Sequence, residues 1–420
     1  MEQQSSRIDQ VRRRRVFYIP GYDPFHPRRY RELYRTESAA QAAVSGYRIA
    51  VAGKPGAGGH GWRVAAGIEG APVEADIEVL VWSDLVRGSM AASIAGTYLQ
   101  LARTAWVYIS TGTLRRLMRL RKGPVIAALY PVAMLLGQAL LALLLAWGVA
   151  RGVLAAAAPA GAGGALAAAI GWALGLACGY GLLRGFKARD GTFFAYYLMH
   201  DYAHSAAARG AYPADLQARL QDFGAAIAAA LEDPELDEVL VVGHSSGAHL
   251  GVSVLAGLLR AGLPAERPAL GFLSLGQVVP MVSFLPGATP LRSDLRLLSE
   301  SPDIAWVDVT APGDGCAFAL CDPVAVSGVA SAAKRWPLVI SAAFTQTLSP
   351  ARWKALRWRF FRLHFQYLCA FDQPGDYDYF RITAGPQTLA ARFRSRQPSK
   401  SRIDVPVSKF TSTSAEVAAE

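Results

Sequence analysis

A run of branched apolar residues ending in a glycine-serine turn is the strongest constraint on how this chain of 420 residues can fold. From Val239 to Gly251 the order is VLVVGHSSGAHLG: a strand-like stretch meets Gly243-His244-Ser245-Ser246-Gly247, and small, helix-compatible residues follow as far as Arg260. Strand, tight G-x-S-x-G turn and helix, in that order, hold the middle serine at a strained backbone position with its hydroxyl exposed. Gly243 and Gly247, two residues to either side, leave room for strand and helix to approach closely. Ser245 is therefore the candidate nucleophile. The competing reading is an ordinary Gly/Ser turn, which a pentapeptide of this composition also fits.

Two uncharged stretches set the second constraint. Val125 to Ala150 and Ala165 to Leu183 contain no charged residue, and a helix needs about 20 such residues to cross the hydrocarbon core of a bilayer. The pattern predicts a transmembrane hairpin over 123–185, with small residues in the second span suited to close helix packing in lipid; a pair of buried core helices is the alternative. Arg115, Arg116, Arg119, Arg121 and Lys122 precede the first span, Arg184, Lys187 and Arg189 follow the second, and the link carries only Arg151. The positive-inside rule then places both ends of the hairpin, and Ser245 with them, on the cytoplasmic side. Arg12 to Arg15 begins like a signal peptide, but the prolines, Asp23 and arginines that follow interrupt any apolar core, so no cleavable signal is expected. The remaining boundaries are a loose N-terminus over 1–10, the two parts of one globular domain over 11–122 and 186–384, and a loose Ser/Thr-rich tail over 385–420.

The formal net charge is +11. No basic stretch has the pattern of a nucleic-acid-binding fold, and the arginines flank the apolar segments, so a lipid bilayer is the expected partner and nucleic acid is not. Cys178, Cys316, Cys321 and Cys369 form no C-x-x-C pair; free thiols in a reducing compartment are expected. Nothing in the sequence bears on oligomeric state.

Val16–Ile19, Tyr47–Ala52, Trp62–Ile68, Ile77–Trp82, Ala269–Leu275 and Ile304–Val309 read as further strands, and their alternation with helical patterns predicts an α/β architecture with a mostly parallel sheet. Asp84 to Leu120 reads as helical, and Arg352 to Cys369 as an aromatic, arginine-rich helix against the sheet or the membrane. Gly56-Ala57-Gly58-Gly59-His60-Gly61 matches G-x-G-x-x-G, but a strand rather than a helix follows it, so a hairpin connection is expected instead of a dinucleotide site. His200 and His204 share a helix face as in H-E-x-x-H, with Asp201 where the glutamate would stand and no third ligand; packing or hydrogen bonding is expected there, and no metal.

A serine hydroxyl becomes a nucleophile when a base takes its proton and a carboxylate orients that base. Where G-x-S-x-G is used, the chain order is Ser, then Asp or Glu, then His. After Ser245 only His249 and His364 remain. His249 has no acid between it and the serine, so His364 is the candidate base. Asp314, in a Pro/Gly turn after a strand, is the favoured acid, with Asp308 and Asp322 as alternatives. The early loop Pro20-Gly21-Tyr22-Asp23-Pro24 offers a backbone N–H of Tyr22 for an oxyanion hole, with Ser246 supplying the other; an ordinary Pro/Gly turn is the competing reading.

On VFYIPGYDP, LVVGHSSGAHLG, WVDVTAPGDG and FRLHFQYL, the chain resembles serine hydrolases of the α/β-hydrolase superfamily, similar to bacterial lipase- and esterase-like members. The resemblance spans most of the chain apart from the hairpin and the two ends. It departs from lipases in lacking a His-Gly-Gly-Gly oxyanion loop and a Gly-Gly ending to the elbow, and in carrying the hairpin. It implies an acyl-enzyme mechanism through Ser245, His364 and Asp314 on an acyl ester or thioester, with no cofactor or metal; the hairpin, separately, would hold that site at an inner membrane and favour a lipid or other long acyl chain. An acyltransferase using the same site and a non-catalytic scaffold of the same shape are the alternatives.

Overall fold

The computed structural model describes residues 9–53, 60–90, 93–160 and 164–414. They divide into two compact units. The first holds the described residues up to Gly88, Ile109–Pro124 and residues 208–414; the second holds the described residues of 89–108 and 125–207.

The first unit is built on one eight-stranded sheet: β1 (Arg13–Ile19), β2 (Arg48–Gly53), β3 (His60–Ile68), β4 (Ala71–Val79), β5 (Glu238–His244), β6 (Ala269–Leu275), β7 (Ala305–Thr310) and β8 (Leu338–Ser341). Their order across the sheet is β2-β3-β4-β1-β5-β6-β7-β8. From β4 to β8 all neighbours are parallel, while β2, β3 and β4 form an antiparallel edge. The sheet is thus mixed, with helices flanking it, and the α/β expectation holds. All seven residues of β5 are buried, which is why its sequence is a continuous apolar run rather than an alternation.

Side chains on successive strand residues point to opposite faces. Val16, Tyr18, Leu240, Val242, Val307 and Val309 enter a core shared with Tyr30 and Tyr34 of helix Arg28–Ser45 and with Phe371, Tyr377 and Phe380. Phe17, Ile19, Val239 and Val241 are equally buried and face the other way, toward helix Ser246–Ala261. That helix lies so close that a Cβ on Gly251 would stand 2.7 Å from the Phe272 ring and 3.7 Å from Ile19 Cδ1. Each fully buried Val, Leu or Phe contributes about 1.5–3 kcal/mol, so these two layers hold the sheet rigid beneath its loops.

Several sequence expectations change. β4 begins at Ala71 and ends at Val79 rather than spanning Ile77–Trp82. The stretch read as helical over Asp84–Leu120 holds three helices, Ser83–Ser89, Ile94–Ser110 and Thr113–Leu117, broken in part at Gly112, whose φ of +69° favours glycine. Gly56 to Gly59 lie outside the described residues; β2 and β3 on either side pair antiparallel. The loose tail is corrected over 385–414. Arg14 Nη1 and Nη2 donate to the carbonyls of Gly385 and Gln387 at 2.8 and 2.6 Å, Glu238 Oε1 accepts from Leu389 N at 2.6 Å, and Arg292 Nε donates to Ser412 O at 2.9 Å. Arg14 and Glu238 also pair with each other, buried, at 2.6 Å. Distant buried charges thus claim the tail's backbone, which no local pattern reveals.

In the second unit, helices Lys122–Ala157 and Ala165–Ala188 are long and apolar enough to cross a membrane by length and composition. They run against each other on small residues. A Cβ on Gly171, Gly175 or Gly179 would meet the carbonyl oxygen of Ala150, Ala146 or Ala142 at 3.0, 2.2 or 2.8 Å. Leu140, Leu144, Trp147, Leu166 and Leu174 point outward and are exposed. The unit is larger than a bare hairpin: Leu101 of helix Ile94–Ser110, Leu135, and Tyr196 and Met199 of helix Ala195–Ala207 share a small apolar cluster.

Candidate active site

Ser245 stands between β5 and helix Ser246–Ala261 with φ +57° and ψ −121°, a region a non-glycine residue enters only at a cost of about 1–3 kcal/mol. The surrounding structure enforces it. A Cβ on Gly243 would meet Gly247 O at 2.5 Å, and one on Gly247 would meet Ile19 O at 2.1 Å. Both glycines of the turn are therefore required by close backbone approach, Gly247 to the neighbouring strand β1 and Gly243 to the start of the helix. Ser245 N donates to Leu275 O at 2.9 Å, which ties the turn to the end of β6. The serine is only partly buried.

Beyond β7 the chain turns through Pro312 and Gly313 to Asp314, which is buried. Asp314 Oδ2 lies 2.7 Å from His364 Nδ1 and accepts from Tyr367 Oη at 3.0 Å, and Oδ1 accepts from Cys316 N at 2.8 Å. Burial pushes this carboxyl upward, but the His364 charge and these three hydrogen bonds outweigh it and leave it below the ordinary aspartate range. An ionised acid fixed on Nδ1 leaves Nε2 as the working nitrogen of the imidazole. His364 Nε2 is buried and, among the described residues, without a hydrogen-bond partner, Ser245 included.

Gly276, the residue after Leu275, packs on the His364–Asp314 side of the site. Its φ is +54°, and a Cβ there would lie 3.0 Å from His364 Cε1 and 2.7 Å from the Tyr367 ring. His244, next to Ser245, lies with its ring centroid 4.7 Å from that of His364, and its Nε2 is 3.0 Å from the His364 carbonyl. Burial, reinforced by the neighbouring imidazole, lowers His244 to about 3. It is neutral, so Nε2–H is the donor to that carbonyl, holding the backbone that bears His364.

The other acids are committed elsewhere. Asp308 accepts from Ser274 Oγ at 2.5 Å, and burial raises it to about 8, with Asp322 adding and the Ser274 bond opposing; a proton-bearing acid cannot act as the ionised partner. Asp322 accepts from Val324 N and Ala325 N and pairs with Lys334 at 2.7 Å. His249 Nδ1 is 2.8 Å from Tyr212 Oη. In the other unit His200 Nδ1 is 2.7 Å from Gln100 Oε1, the hydrogen-bonding role expected there.

The loop after β1 meets Ser245 through Gly21: a Cβ on it would stand 2.9 Å from Ser245 Cβ and 3.4 Å from Oγ. The Tyr22 side chain turns away, packing edge-on to Trp82 at 6.1 Å and donating to Val86 O at 3.4 Å, so any part it plays beside the serine falls to its backbone. Ser246 opens the helix, where backbone N–H groups have no acceptor within the helix itself. Sequence reasoning missed Gly21, Gly276, His244 and Tyr367. Tyr367 had one available signal, its place three residues after His364 on the same turn. Asp314, Cys316 and His364 also bring carboxylate, thiol and imidazole donor atoms within 4.8 Å of one another, a set that would suit a soft divalent ion, although an ion there would have to displace the proton shared by His364 and Asp314.

Comparison of the chain with protein-family models, with curated proteins and with solved structures finds no match.

Proposed function

We propose that the chain is a membrane-anchored serine hydrolase of the α/β-hydrolase type, cleaving carboxylic esters or thioesters through Ser245, His364 and Asp314. The observation that carries this reading is the strained Ser245 at the carboxyl edge of the sheet, tied by Leu275 to the glycine that packs on the hydrogen-bonded His364–Asp314 pair. The strand order supports it. The chain leaves β1 toward β2–β4 and leaves β5 toward β6–β8, so the carboxyl ends of β1 and β5 form the switch point at which α/β sheets bind ligands.

In this mechanism Ser245 Oγ attacks the acyl carbon as its proton passes to His364 Nε2, which requires the two atoms to close to hydrogen-bond reach. The oxyanion that forms is held by backbone N–H groups of Ser246 and of the Gly21–Tyr22 loop, each donor worth on the order of 3 kcal/mol. His364 then gives the proton to the leaving alcohol or thiol; a water deprotonated by the same nitrogen attacks the acyl carbon, the Ser245 Oγ–acyl bond breaks to release the acid, and His364 returns the proton to Ser245 Oγ. Asp314 keeps the imidazole in the Nδ1–H tautomer throughout. The apolar helices anchor the protein, with the catalytic unit on the cytoplasmic side by the distribution of basic flanks. An anchored site favours lipid or long-chain acyl substrates; hydrolysis of short soluble esters with no gain from a longer acyl chain would count against that preference.

The missing Ser245–His364 hydrogen bond favours, as the second reading, a non-catalytic scaffold of the same shape. Peptide mass spectrometry of the detergent-solubilised protein after fluorophosphonate treatment separates the two. An adduct on Ser245, abolished in Ser245→Ala and strongly slowed in His364→Ala, is the expected result. No adduct on a folded sample would sink the triad. Product analysis with added alcohols then distinguishes hydrolysis from acyl transfer.

A further inference from the structure

We infer that the segment from Trp353 to Arg362, directly before His364, is a docking surface for anionic phospholipid headgroups. The inference rests on the membrane-anchored reading above and adds to it which residues of the globular unit touch the lipid surface.

Two short helices, Pro350–Leu356 and Phe360–His364, are joined by Arg357-Trp358-Arg359. Trp358 is 72% exposed and Phe360 45%, which is unusual for large aromatics six and four residues before a buried imidazole. Lys354, Arg357, Arg359 and Arg362 are exposed around them, and the Arg357 guanidinium lies 5.6 Å from the Trp358 ring centroid. No acid occurs between Pro350 and Cys369. The nearby carboxylates are engaged by Arg352, at 3.1 Å from Asp372 and 3.8 Å from Glu37. A face meant only for water mixes both signs of charge; cations segregated around exposed Trp and Phe are the composition of a membrane-interface surface.

A second observation places that surface. Phe360 packs on the acid loop, where a Cβ on Gly315 would stand 3.0 Å from Phe360 Cδ1. The same loop faces Gly123, whose Cβ would lie 3.3 Å from Gly315 Cα. Gly123 is two residues before Val125, the start of the first uncharged stretch. The exposed aromatic-basic segment and the point where the chain enters its membrane-length helix therefore both abut the loop that carries Asp314. Lipid at that entry point would lie on the same loop as Phe360, and the cations around Trp358 would select anionic headgroups over zwitterionic ones.

The test uses the full chain in lipid nanodiscs containing brominated phosphatidylcholine, either alone or mixed with phosphatidylglycerol. Trp358 quenching is read as the difference between the native protein and Trp358→Phe, since other tryptophans also contribute. Quenching of Trp358 that increases with phosphatidylglycerol, and that falls in a Lys354→Glu/Arg357→Glu/Arg359→Glu variant, is expected; each cation should tighten the contact about five-fold. No quenching from Trp358, or equal quenching in both kinds of disc, would overturn the inference, as would a Trp358 response to a single-stranded oligonucleotide with none to anionic lipid. Native Trp358→Phe retains the charges, so its near-UV circular dichroism checks folding independently. Fluorophosphonate labelling of Ser245 in the same discs separates the two ideas: labelling without Trp358 quenching removes only the docking surface, and quenching without labelling removes only the hydrolase.

Discussion

His364 Nδ1 lies 2.7 Å from Asp314 Oδ2 across a gap of fifty residues in the chain, while the opposite ring nitrogen has no hydrogen-bond partner among the described residues. The pair has one imidazole nitrogen committed and one free to move a proton. Replacing Asp314 by Asn keeps the shape but removes the charge that fixes the tautomer. Asp314→Asn is expected to lower kcat by about 10³–10⁴ if the site turns over as proposed, with fluorophosphonate labelling of Ser245 slowed in parallel. Equal labelling rates in the native and Asn proteins would show that Asp314 does not act through His364.

Tyr367 reinforces that carboxylate. Its hydroxyl donates to Asp314 Oδ2 and accepts from Ala311 N at 2.9 Å, joining the acid loop to the turn that carries His364. Tyr367→Phe leaves Ala311 N and one lone pair of Asp314 unsatisfied in a buried place, a loss of about 1–3 kcal/mol in stability. We expect a lower apparent melting temperature, together with a fall in kcat that leaves KM little changed. A melting temperature equal to that of the native protein would contradict the contact.

The two long helices touch on glycine. Gly175 has no space for a Cβ, which would sit 2.2 Å from Ala146 O, whereas Gly181 has nothing within 4 Å. Gly175→Val is expected to force the helices apart and to lower yield and thermal stability in detergent, by more than about 2 kcal/mol, while Gly181→Val is tolerated. Comparable stability for both variants would mean the helices do not pack through this stripe.

Asp308 gives a pH dependence with a definite sign. Burial raises its folded-state value to about 8, above an unfolded value of about 3.9. Between these two the unfolded chain releases a proton that the folded protein keeps, so stability falls as pH rises from about 4 to about 8, at on the order of 1 kcal/mol per unit. Asp308→Asn, which has no proton to lose, should flatten that slope. Melting temperatures of both proteins at pH 5 and pH 8 decide it: parallel slopes would sink the assignment.

Much of the site was legible because its parts are local. The strand-turn-helix around Ser245 follows from neighbouring residues, since a serine at positive φ needs small neighbours on both sides and a buried strand needs an unbroken apolar run. β6 was read to the residue for the same reason. The order of residues also pointed to His364 and Asp314, but order carries no distance. Their contact depends on β7 and the segment after β8 being folded onto the same sheet edge, and β8 itself, four residues long, was too short to leave a periodic signal.

What the sequence by itself determined was therefore the α/β class, the strand-turn-helix around Ser245 and two helices of membrane-spanning length, each a property of nearest neighbours and of segment hydrophobicity. Only the tertiary structure decided which acid meets the histidine, that Gly21 rather than the Tyr22 side chain lies against Ser245, and that the polar C-terminal stretch is bound. Asp308, Asp314 and Asp322 are alike as residues; burial beside Ser274, hydrogen bonding to His364 and pairing with Lys334 make them different acids. Those partners come from distant parts of the chain, and the low dielectric of the interior turns their proximity into chemistry.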